Sequence, residues 1–332
     1  MKILITGAAG FIGYHVSKRL LCERHSVVGI DNFNNVYSVQ LKQDRCLLLK
    51  KFPEFSFFKI DISDRKKIQS LFQTHSFDVV IHLAARTGVR DSTTQPYAYI
   101  EDNIQGFLTI LETCQTHRIK HLIFASSSSI YGTAGTTAPI VPLSEELHFN
   151  HPLAFYGITK KTNELMAYSY AHLHGLCCTG LRFFTVYGPW GRPDMAFFKF
   201  TKRILNNEPI QIYNHGEMYR DFTYVDDIAE SIHLITLQTN ADPLPYQIYN
   251  IGYGKAIKLL DFVELLENLL GKKALRQYVS RQTEDMLETR ADITKLKKAF
   301  NYQPNTPLET GLKKFIDWYL WYYQKIGLPV EN

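Results

Sequence analysis

The chain has 332 residues, of which 45% are hydrophobic and 21% are charged, as is ordinary for a globular protein. Its formal net charge of +5 is small and no long run of lysine or arginine is present. This argues against nucleic acid as a partner and suits an anionic small substrate. The five cysteines form no Cys-x-x-Cys pair, and no apolar stretch has the length of a membrane span. We therefore expect a cytoplasmic protein without membrane insertion.

Short β-branched runs alternate with helical patterns through the first half of the chain. A strand pattern begins at the first residues, so no secretory signal peptide is expected. The predicted strands are residues 2–6, 26–31, 55–61, 79–84, 122–126 and 179–186, and the predicted helices are residues 11–22, 65–74, 99–117 and 156–174. Alternating strands and helices predict an α/β fold with a doubly wound, Rossmann-type parallel sheet.

The second half of the chain has shorter elements punctuated by prolines. It predicts a smaller C-terminal substrate-binding lobe, mainly residues 189–332, laid on a first domain of residues 1–188. One further strand, residues 246–252, is expected to return to the sheet of the first domain. Helices are predicted at residues 259–270 and 292–300, and the aromatic C-terminal segment is predicted to pack on the body as an amphipathic helix.

Three glycines follow the first predicted strand with the spacing of a dinucleotide-binding turn. Gly7 allows the tight turn, Gly10 lets the backbone approach a pyrophosphate, and Gly13 lets the helix pack closely on the sheet. The free amides at the start of that helix, which include those of Phe11 and Ile12, then meet the phosphates. The strand, turn and helix in this order predict that the first domain binds a dinucleotide.

An acidic residue at the end of the second strand indicates which dinucleotide is bound. Asp31 can accept hydrogen bonds from the adenosine ribose and would repel a 2′-phosphate, which favours NAD over NADP. Asn32 follows it, and Asp61 and Ile62 after the third strand are placed to reach the adenine. Asp61 has a second interpretation, as the cap of the following helix.

A tyrosine and a lysine lie four residues apart on the predicted helix 156–174. This spacing places Tyr156 and Lys160 on one helix face, where an ammonium favours the phenolate and lowers the tyrosine pKa. A phenol tuned in this way serves as a general base and acid near neutral pH. Ser127 lies directly beyond the carboxyl end of the predicted strand 122–126, where ligands bind in doubly wound folds, so a substrate oxygen can lie between Ser127 and Tyr156.

These motifs resemble the extended short-chain dehydrogenase/reductase family, and most closely its UDP-glucuronate 4-epimerases. The resemblance rests on the glycine turn, the serines before Tyr131 and the tyrosine–lysine pair. It also rests on two long segments, GLRFFTVYGPWGRPDMA at residues 180–196 and NHGEMYRDFTYVDD at residues 214–227, and on HLAA from His82 and YNIG from Tyr249. The resemblance covers essentially the whole chain.

The resemblance implies roles for individual residues. Ser127 is the catalytic hydroxyl beside Tyr156 and Lys160, Arg220 is the diphosphate clamp, and Arg192 binds the sugar carboxylate. Further residues are implied in cofactor binding, Leu83, Ala84, Ala85 and Asn103, and in substrate binding, Arg90, Ser128, Ser129 and Thr185. Two alternatives stay open: Arg220 as the partner of Asp221 or Asp226, and Arg192 as a surface loop charge.

The chain departs from the family pattern at three places. Arg86 stands where such enzymes commonly have glutamine, which adds a positive charge beside the cofactor. Residues 283–285, Thr-Glu-Asp, replace Pro-Gly-Asp, and Arg290 is an unusual neighbour of Ala291. These departures concern the nucleotide-contacting loop of the small lobe.

The function that the resemblance implies is NAD-dependent C4 epimerisation of a UDP-hexuronic acid, from UDP-glucuronate to UDP-galacturonate. Alternatives are a UDP-N-acetylglucosaminuronate or UDP-hexose 4-epimerase, a sugar dehydratase or decarboxylase, and a non-catalytic NAD-binding protein. Dehydratases and decarboxylases carry a carboxylate just after the catalytic hydroxyl, where this chain has Ser128 and Ser129. Helices 99–117 and 156–174 resemble those that pair relatives into homodimers, although an intramolecular core would give the same pattern. His172 and His174 lack further ligands at suitable spacing, so no metal is expected.

Overall fold

The computed structural model describes residues 1–135, 141–147, 151–238, 245–282 and 285–325. Its strands are β1 Lys2–Thr6, β2 Ser26–Asp31, β3 Phe55–Lys59, β4 Val79–His82, β5 His121–Ser127, β6 Cys178–Phe183, β7 Thr185–Tyr187, β8 Pro209–Tyr213, β9 Tyr219–Tyr224, β10 Tyr246–Ile251, β11 Ala256–Lys258 and β12 Leu275–Val279. Its helices are α1 Phe11–Cys22, α2 Val39–Leu49, α3 Arg65–Thr74, α4 Asp91–Thr94, α5 Pro96–Tyr99, α6 Gly106–Thr116, α7 Phe155–His174, α8 Ala196–Leu205, α9 Val225–Leu237, α10 Leu259–Leu270, α11 Thr294–Phe300 and α12 Leu308–Lys325.

Seven parallel strands form the central sheet in the order β10-β6-β5-β4-β1-β2-β3. Helices cover both faces, so the central strands are apolar on both sides: Ile3 and Ile5 belong to one core cluster and Leu4 to the other. The predicted doubly wound α/β fold is confirmed. The order of the strands reverses at β1, which places a ligand cleft at the carboxyl ends of β1 and β4.

Several elements differ from the predicted ones: helices α8 and α9 and strands β8 and β9 were not predicted. Three further differences concern the site. Helix α2 was not predicted, because its polar residues hide the apolar stripe, although Ser38 accepts a capping hydrogen bond from the Leu41 amide at 3.4 Å. The predicted strand 179–186 is two strands, since the Phe184 amide bonds the Ile251 carbonyl and β7 leaves the central sheet. The predicted helix 99–117 contains a π-helical segment, Ile100–Gln105, before α6.

Two small sheets build the region that faces the strand ends. One has the order β11-β9-β7 and the other pairs β12 with β8. β10 instead lies beside β6 at the edge of the central sheet. The division of the chain after residue 188 stays a prediction.

The C-terminal helix α12 packs on the body through its aromatic face, as expected. The Phe315 ring lies 4.9 Å from that of Phe197, and the Trp318 ring lies 5.2 Å from that of Trp190, measured between centroids. None of the helices in the described part of the chain is both long and apolar enough to cross a bilayer.

Candidate active site

The glycine turn between β1 and α1 leaves an open cradle at the centre of the sheet edge. Gly7 has φ +70°, and a Cβ added there would lie 2.8 Å from the Ala84 amide nitrogen. A Cβ on Gly13 would overlap the carbonyl of Gly7. The turn therefore requires glycine at both positions to pack closely on the chain after β4 and on itself. This cradle fits the pyrophosphate of a dinucleotide.

Helix α1 begins without a side-chain cap. Gly10 occupies the N-cap position and makes no side-chain hydrogen bond to the first turn. The first amides of a helix have no partner within it, so those of Phe11 and Ile12 are available to an anion. The positive end of the helix dipole adds to this attraction.

Asp31 lies buried at the end of β2 and accepts a hydrogen bond from the Phe33 amide at 2.8 Å. Burial raises the pKa of its carboxyl, an effect that Lys42 opposes. Lys42 donates to the Asn34 carbonyl at 2.8 Å and to its side-chain oxygen at 2.6 Å, and burial lowers the pKa of the lysine to about 8. Sequence analysis missed Lys42 because α2 was not predicted.

Asp61 accepts hydrogen bonds from the residues on the side of the cradle where the adenine is predicted to bind. Asn32 donates to one carboxylate oxygen of Asp61 at 2.8 Å, and the Ser63 amide and hydroxyl donate to the other. The cap of α3 is Asp64, which accepts from the Lys67 amide, so the helix-cap interpretation of Asp61 is wrong. Ile62 is buried and packs against Gly106 of α6.

The chain after β4 closes the cradle and is fixed by main-chain contacts. The Leu83 amide donates to the Thr6 carbonyl at 3.2 Å, and the Ala84 amide donates to the Thr6 hydroxyl at 3.1 Å. The side chain of Asn103, 1% exposed on the π-helical segment, accepts from the Arg86 amide at 2.8 Å. Its amide group donates to the Arg86 carbonyl and to the Thr159 hydroxyl, both at 3.0 Å. Asn103 thus holds this segment, and a direct contact with the cofactor stays a prediction, as it does for Ala85.

The unusual Arg86 is paired. Its Nε donates to Asp102 at 2.8 Å, and both side chains are mostly buried. The extra positive charge is therefore balanced beside the cradle.

The serine run at the end of β5 divides into two environments. Ser126 is buried and donates to Glu164, which forms a buried ion pair with Arg182 behind the strand. Ser127 instead accepts from the Ser129 amide at 3.1 Å, and its hydroxyl lies close enough to the phenol of Tyr156 to lower the pKa of that phenol. The strand end therefore brings Ser127 and the tyrosine together, as the sequence analysis predicted.

Tyr156 and Lys160 lie on one face of α7 beside β5. The Lys160 ammonium is 1% exposed, donates to the Ala125 carbonyl at 3.0 Å and lies 6.0 Å from the centre of the tyrosine ring. Burial lowers the pKa of Lys160 to about 8. Burial also raises the pKa of Tyr156, against the effects of Ser127 and Arg192. The expected fall in the tyrosine pKa is therefore wrong, because desolvation of the phenol outweighs the effects of Ser127 and Arg192.

Arg192 reaches into the same pocket from the loop after β7. Its Nε and Nη2 bind the two oxygens of Asp194 at 3.0 and 2.5 Å, and Nη1 donates to the Thr87 hydroxyl. The side chain is 17% exposed and close enough to Tyr156 to lower its pKa, so it is no surface loop charge. Thr87 and Asp194 were missed because nothing in their sequence pattern marks them.

A second group of cations lines the small lobe. Arg220 on β9 donates to the Tyr219 and Leu287 carbonyls at 2.8 and 3.3 Å, and burial lowers its pKa. It forms no ion pair with a carboxylate of the described residues. Asp221 is occupied by three main-chain amides, and Asp226 by His15, so neither is its partner. A buried guanidinium with free N–H groups suits a diphosphate.

Arg90 stands at the rim of this region. Its guanidinium lies 4.4 Å from the centre of the Tyr213 ring and pairs with Asp285 at 3.3 Å. Thr185 is partly buried on β7 beside Phe222 of β9. Residues 283 and 284 lie outside the described residues, while Arg290 lies 3.6 Å from Glu288. No group of side chains able to hold a metal ion was found within the described ranges.

The doubly wound sheet, the glycine cradle and the serine–tyrosine–lysine group define an enzyme of the extended short-chain dehydrogenase/reductase class. The sequence pattern of the NAD dependent epimerase/dehydratase family matches residues 3–252. The chain belongs to that family.

Relatives and solved structures are similar over nearly the whole chain. Protein CapI of Staphylococcus aureus is 48% identical over 98% of this chain and all of its own length. A UDP-glucuronate 4-epimerase of Thermodesulfobacterium geofontis is 45% identical over 95% of both chains. The crystal structure of UDP-glucuronic acid 4-epimerase from Bacillus cereus, in complex with UDP-glucuronic acid and NAD, superposes with a TM-score of 0.90 at 34% identity. That match covers 97% of this chain and 100% of the other.

Proposed function

We propose that the protein is an NAD-dependent epimerase that interconverts UDP-glucuronate and UDP-galacturonate at C4. The observation that carries the proposal is the position of Arg192, whose guanidinium fork is held by Asp194 and lies close enough to Tyr156 to lower the pKa of its phenol. A neutral hexose has no charge that needs such a fork, whereas a uronic acid carries a carboxylate. The UDP-glucuronate 4-epimerases among the similar proteins support the same substrate.

The residues of the cradle fit NAD. Gly7 and Gly13 leave no room for a side chain where the pyrophosphate lies, and the buried carboxylate of Asp31 suits a ribose hydroxyl. When bound, NAD accepts a hydride from C4 of the sugar and returns it to the other face of the same carbon. Asn32, Asp61 and Ile62 border the adenine in this arrangement.

The protein's own groups handle the proton at the sugar O4. The phenolate of Tyr156 accepts this proton as the hydride leaves, and returns it when the hydride comes back. Ser127, which lies beside that phenol, donates to O4 and stabilises the forming carbonyl. Lys160 favours the phenolate, and the Ala125 carbonyl fixes the ammonium in position.

The substrate-binding residues divide by charge. Arg220 and Arg90 lie in the small lobe and at its rim, where they suit the diphosphate and the nucleotide end. Ser128, Ser129 and Thr185 border the sugar. Arg192 holds the carboxylate, which matters because a 4-keto uronic acid is a β-keto acid and loses CO₂ if the carboxylate turns perpendicular to the carbonyl plane.

The alternative activities receive less support. A dehydratase needs a carboxylate acid after the catalytic hydroxyl, and positions 128 and 129 are serine. The buried Glu164 is held in a two-pronged ion pair with Arg182, so it is committed elsewhere. A non-catalytic NAD-binding protein would not need the buried lysine and the hydrogen-bonded tyrosine together.

The test is to incubate the purified protein with UDP-glucuronate, UDP-N-acetylglucosaminuronate and UDP-glucose separately and to resolve the epimers by NMR. We expect UDP-galacturonate from the first and the slowest conversion of the neutral sugar. Equal conversion of UDP-glucose would contradict the role of Arg192 in the proposal.

Replacing Asp31 by alanine should weaken NAD binding by roughly 10- to 100-fold, because a charged acceptor for the ribose is lost. The measurement is calorimetric titration of the NAD-free protein with NAD and with NADP. A wild-type preference for NADP would overturn the role given to Asp31.

Replacing Lys160 by methionine should move the acid limb of the pH–rate profile to higher pH. The ammonium stabilises the phenolate of Tyr156, whose pKa burial already raises, so its loss makes deprotonation harder still. An acid limb that does not move in the variant would exclude this role.

We also propose that the protein forms a homodimer through α6 and α7. These helices expose a row of apolar side chains whose burial in a single chain is incomplete: Leu108 37%, Ile158 44%, Leu165 60%, Tyr168 46% and Leu173 68% exposed. A second copy of the chain, placed about a twofold axis, would bury them in a four-helix bundle.

The substitution Leu165→Lys should shift the protein toward the monomer, because it places a charge in the bundle. Leu47→Lys is the matched control, since Leu47 is 59% exposed on α2, away from these helices. Light scattering after size-exclusion chromatography gives the mass of each. If both variants keep the mass of the wild type, the proposed interface is wrong.

The cysteines support the cytoplasmic location that we propose. Cys46, Cys114 and Cys178 are buried thiols, and burial raises the pKa of each. Inert, reduced thiols of this kind are typical of proteins from a reducing compartment.

A further inference from the structure

Arg45 on α2 is a buried cation whose partners are almost all main-chain carbonyls. It is 0% exposed, and no carboxylate of the described residues forms an ion pair with it. Nη1 donates to the Ala9 carbonyl at 3.0 Å and to the Tyr37 hydroxyl at 2.9 Å. Nη2 donates to the Trp190 carbonyl at 2.6 Å and to the Gly191 carbonyl at 3.1 Å. Burying a charge without a counter-ion is costly, so the four hydrogen bonds must compensate.

The three carbonyls belong to two separate parts of the proposed site. Ala9 lies in the glycine turn of the cofactor cradle, next to Gly10. Trp190 and Gly191 lie in the loop that carries Arg192. Arg45 therefore ties the cofactor turn to the carboxylate loop, across about 145 residues of sequence.

The carboxylate loop needs such a tie, because its backbone is unusual. Trp190 has φ +59°, a left-handed conformation that costs free energy for any residue other than glycine. Its ring packs between Tyr14 and Trp318, at centroid distances of 5.7 and 5.2 Å. These aromatic contacts hold the Trp190 ring in place. The hydrogen bond from Arg45 holds the Trp190 carbonyl in place.

A second tether acts on the same loop from α1. The His15 ring lies 2.9 Å from the Pro189 carbonyl and 3.1 Å from Asp226. His15 reaches only the start of the loop, whereas Arg45 holds the two residues directly before Arg192. Of the two tethers, Arg45 thus has the greater effect on where the fork of Arg192 points.

We propose that Arg45 is a positioning residue that sets the direction of Arg192 and thereby couples the cofactor turn to recognition of the sugar carboxylate. The inference rests on the proposed function, since it assigns the carboxylate to Arg192. Arg45 touches neither substrate nor cofactor in this proposal. It acts through the backbone of residues 188–193 alone.

The test compares Arg45→Lys with the wild type, using NAD-loaded protein. Lysine keeps the charge but has a single nitrogen, which cannot reach the turn and both loop carbonyls together. We expect KM for UDP-glucuronate to rise about 10- to 100-fold, as for a catalytic group misplaced by roughly 1 Å. KM for UDP-glucose should change little, and a decarboxylated 4-keto pentose should appear by mass spectrometry.

A double variant separates positioning from general damage. If Arg45 acts through Arg192, then Arg45→Lys added to Arg192→Ala should not raise the decarboxylated fraction beyond that of Arg192→Ala alone. Arg19→Lys is the matched control, because Arg19 pairs with Glu23 and Glu230 on the outer side of α1. Additive effects, or a variant that keeps KM and product pattern unchanged, would overturn the proposal.

Hydrogen exchange gives a readout that does not need the substrate. Amides of residues 188–193 should exchange faster in NAD-loaded Arg45→Lys than in the wild type or in Arg19→Lys. If the wild type fails to convert UDP-glucuronate, the proposed function is wrong, and exchange alone then decides whether Arg45 holds the loop. Unchanged exchange in that loop would reject the positioning role whichever sugar the enzyme takes.

Discussion

Replacing Tyr156 by phenylalanine should lower the turnover number for UDP-glucuronate by about 10²- to 10⁴-fold, the range typical of a general acid–base group. The phenol lies beside Ser127 and Lys160, where the proposed mechanism places the sugar O4. Removing one hydroxyl oxygen leaves the ring in place, and its contact with Tyr99, 6.3 Å between ring centroids, should hold the helix end. The fold and the bound NAD should therefore persist.

The measurements are initial rates and the NAD content of the purified variant, with Ser127→Ala beside it. Ser127→Ala should cost less, because Ser129, which lies within hydrogen-bond distance of Ser127, or a water can partly replace it. Turnover close to that of the wild type in Tyr156→Phe would remove the proposed mechanism. Loss of NAD together with turnover would instead give the tyrosine a structural role.

The cofactor-binding residues could be predicted from the sequence because they lie close together along the chain. Gly7, Gly10 and Gly13 form one local pattern, and each is needed for a contact within the same strand–turn–helix unit. Asp31 ends the next strand, so the parallel order of β1 and β2 suffices to bring it to the turn. Tyr156 and Lys160 were found for the same reason, since one helical turn places them together.

The parts that were missed depend on tertiary contacts. Lys42 and Arg45 lie on a helix whose polar composition conceals it, and their buried positions follow from packing on α1 and the loop after β7. Thr87 and Asp194 contact Arg192 from different parts of the chain, and neither has a pattern of its own. The direction of the Tyr156 pKa was also wrong, because sequence shows a nearby lysine and does not show how far packing removes the phenol from water.

The buried polar network behind β5 shows why Ser127 is available to a substrate although four serines are consecutive. Ser126 points to the Glu164–Arg182 pair, and Arg182 in turn donates to Tyr131, whose hydroxyl donates to Asn250. Alternation along a strand places neighbouring side chains on opposite faces, so Ser127 must face the other way. The buried network therefore uses the hydroxyl of Ser126, while the hydroxyl of Ser127 faces the proposed active site.

Replacing Arg192 by alanine should raise KM for UDP-glucuronate and divert turnover to a decarboxylated product. The fork is engaged by Asp194 and Thr87, so a carboxylate that binds there has to share it with Asp194 or displace Thr87. Such an ordered, charge-assisted pair restrains rotation about the bond between C5 and the carboxylate carbon. Without it, the 4-keto sugar can reach the geometry that releases CO₂ and leaves a 4-keto pentose.

Arg192→Lys distinguishes charge from geometry at this position. Lysine should restore binding of UDP-glucuronate better than it suppresses the decarboxylated product, because a single ammonium attracts the carboxylate but cannot fix its plane. Mass spectrometry of the products under turnover measures both variants against the wild type, with NAD content as the check on folding. If KM is unchanged and no decarboxylated sugar appears in Arg192→Ala, the carboxylate is held elsewhere. Arg90, Ser128 and Ser129 are then the first residues to replace, since they are also assigned to the substrate.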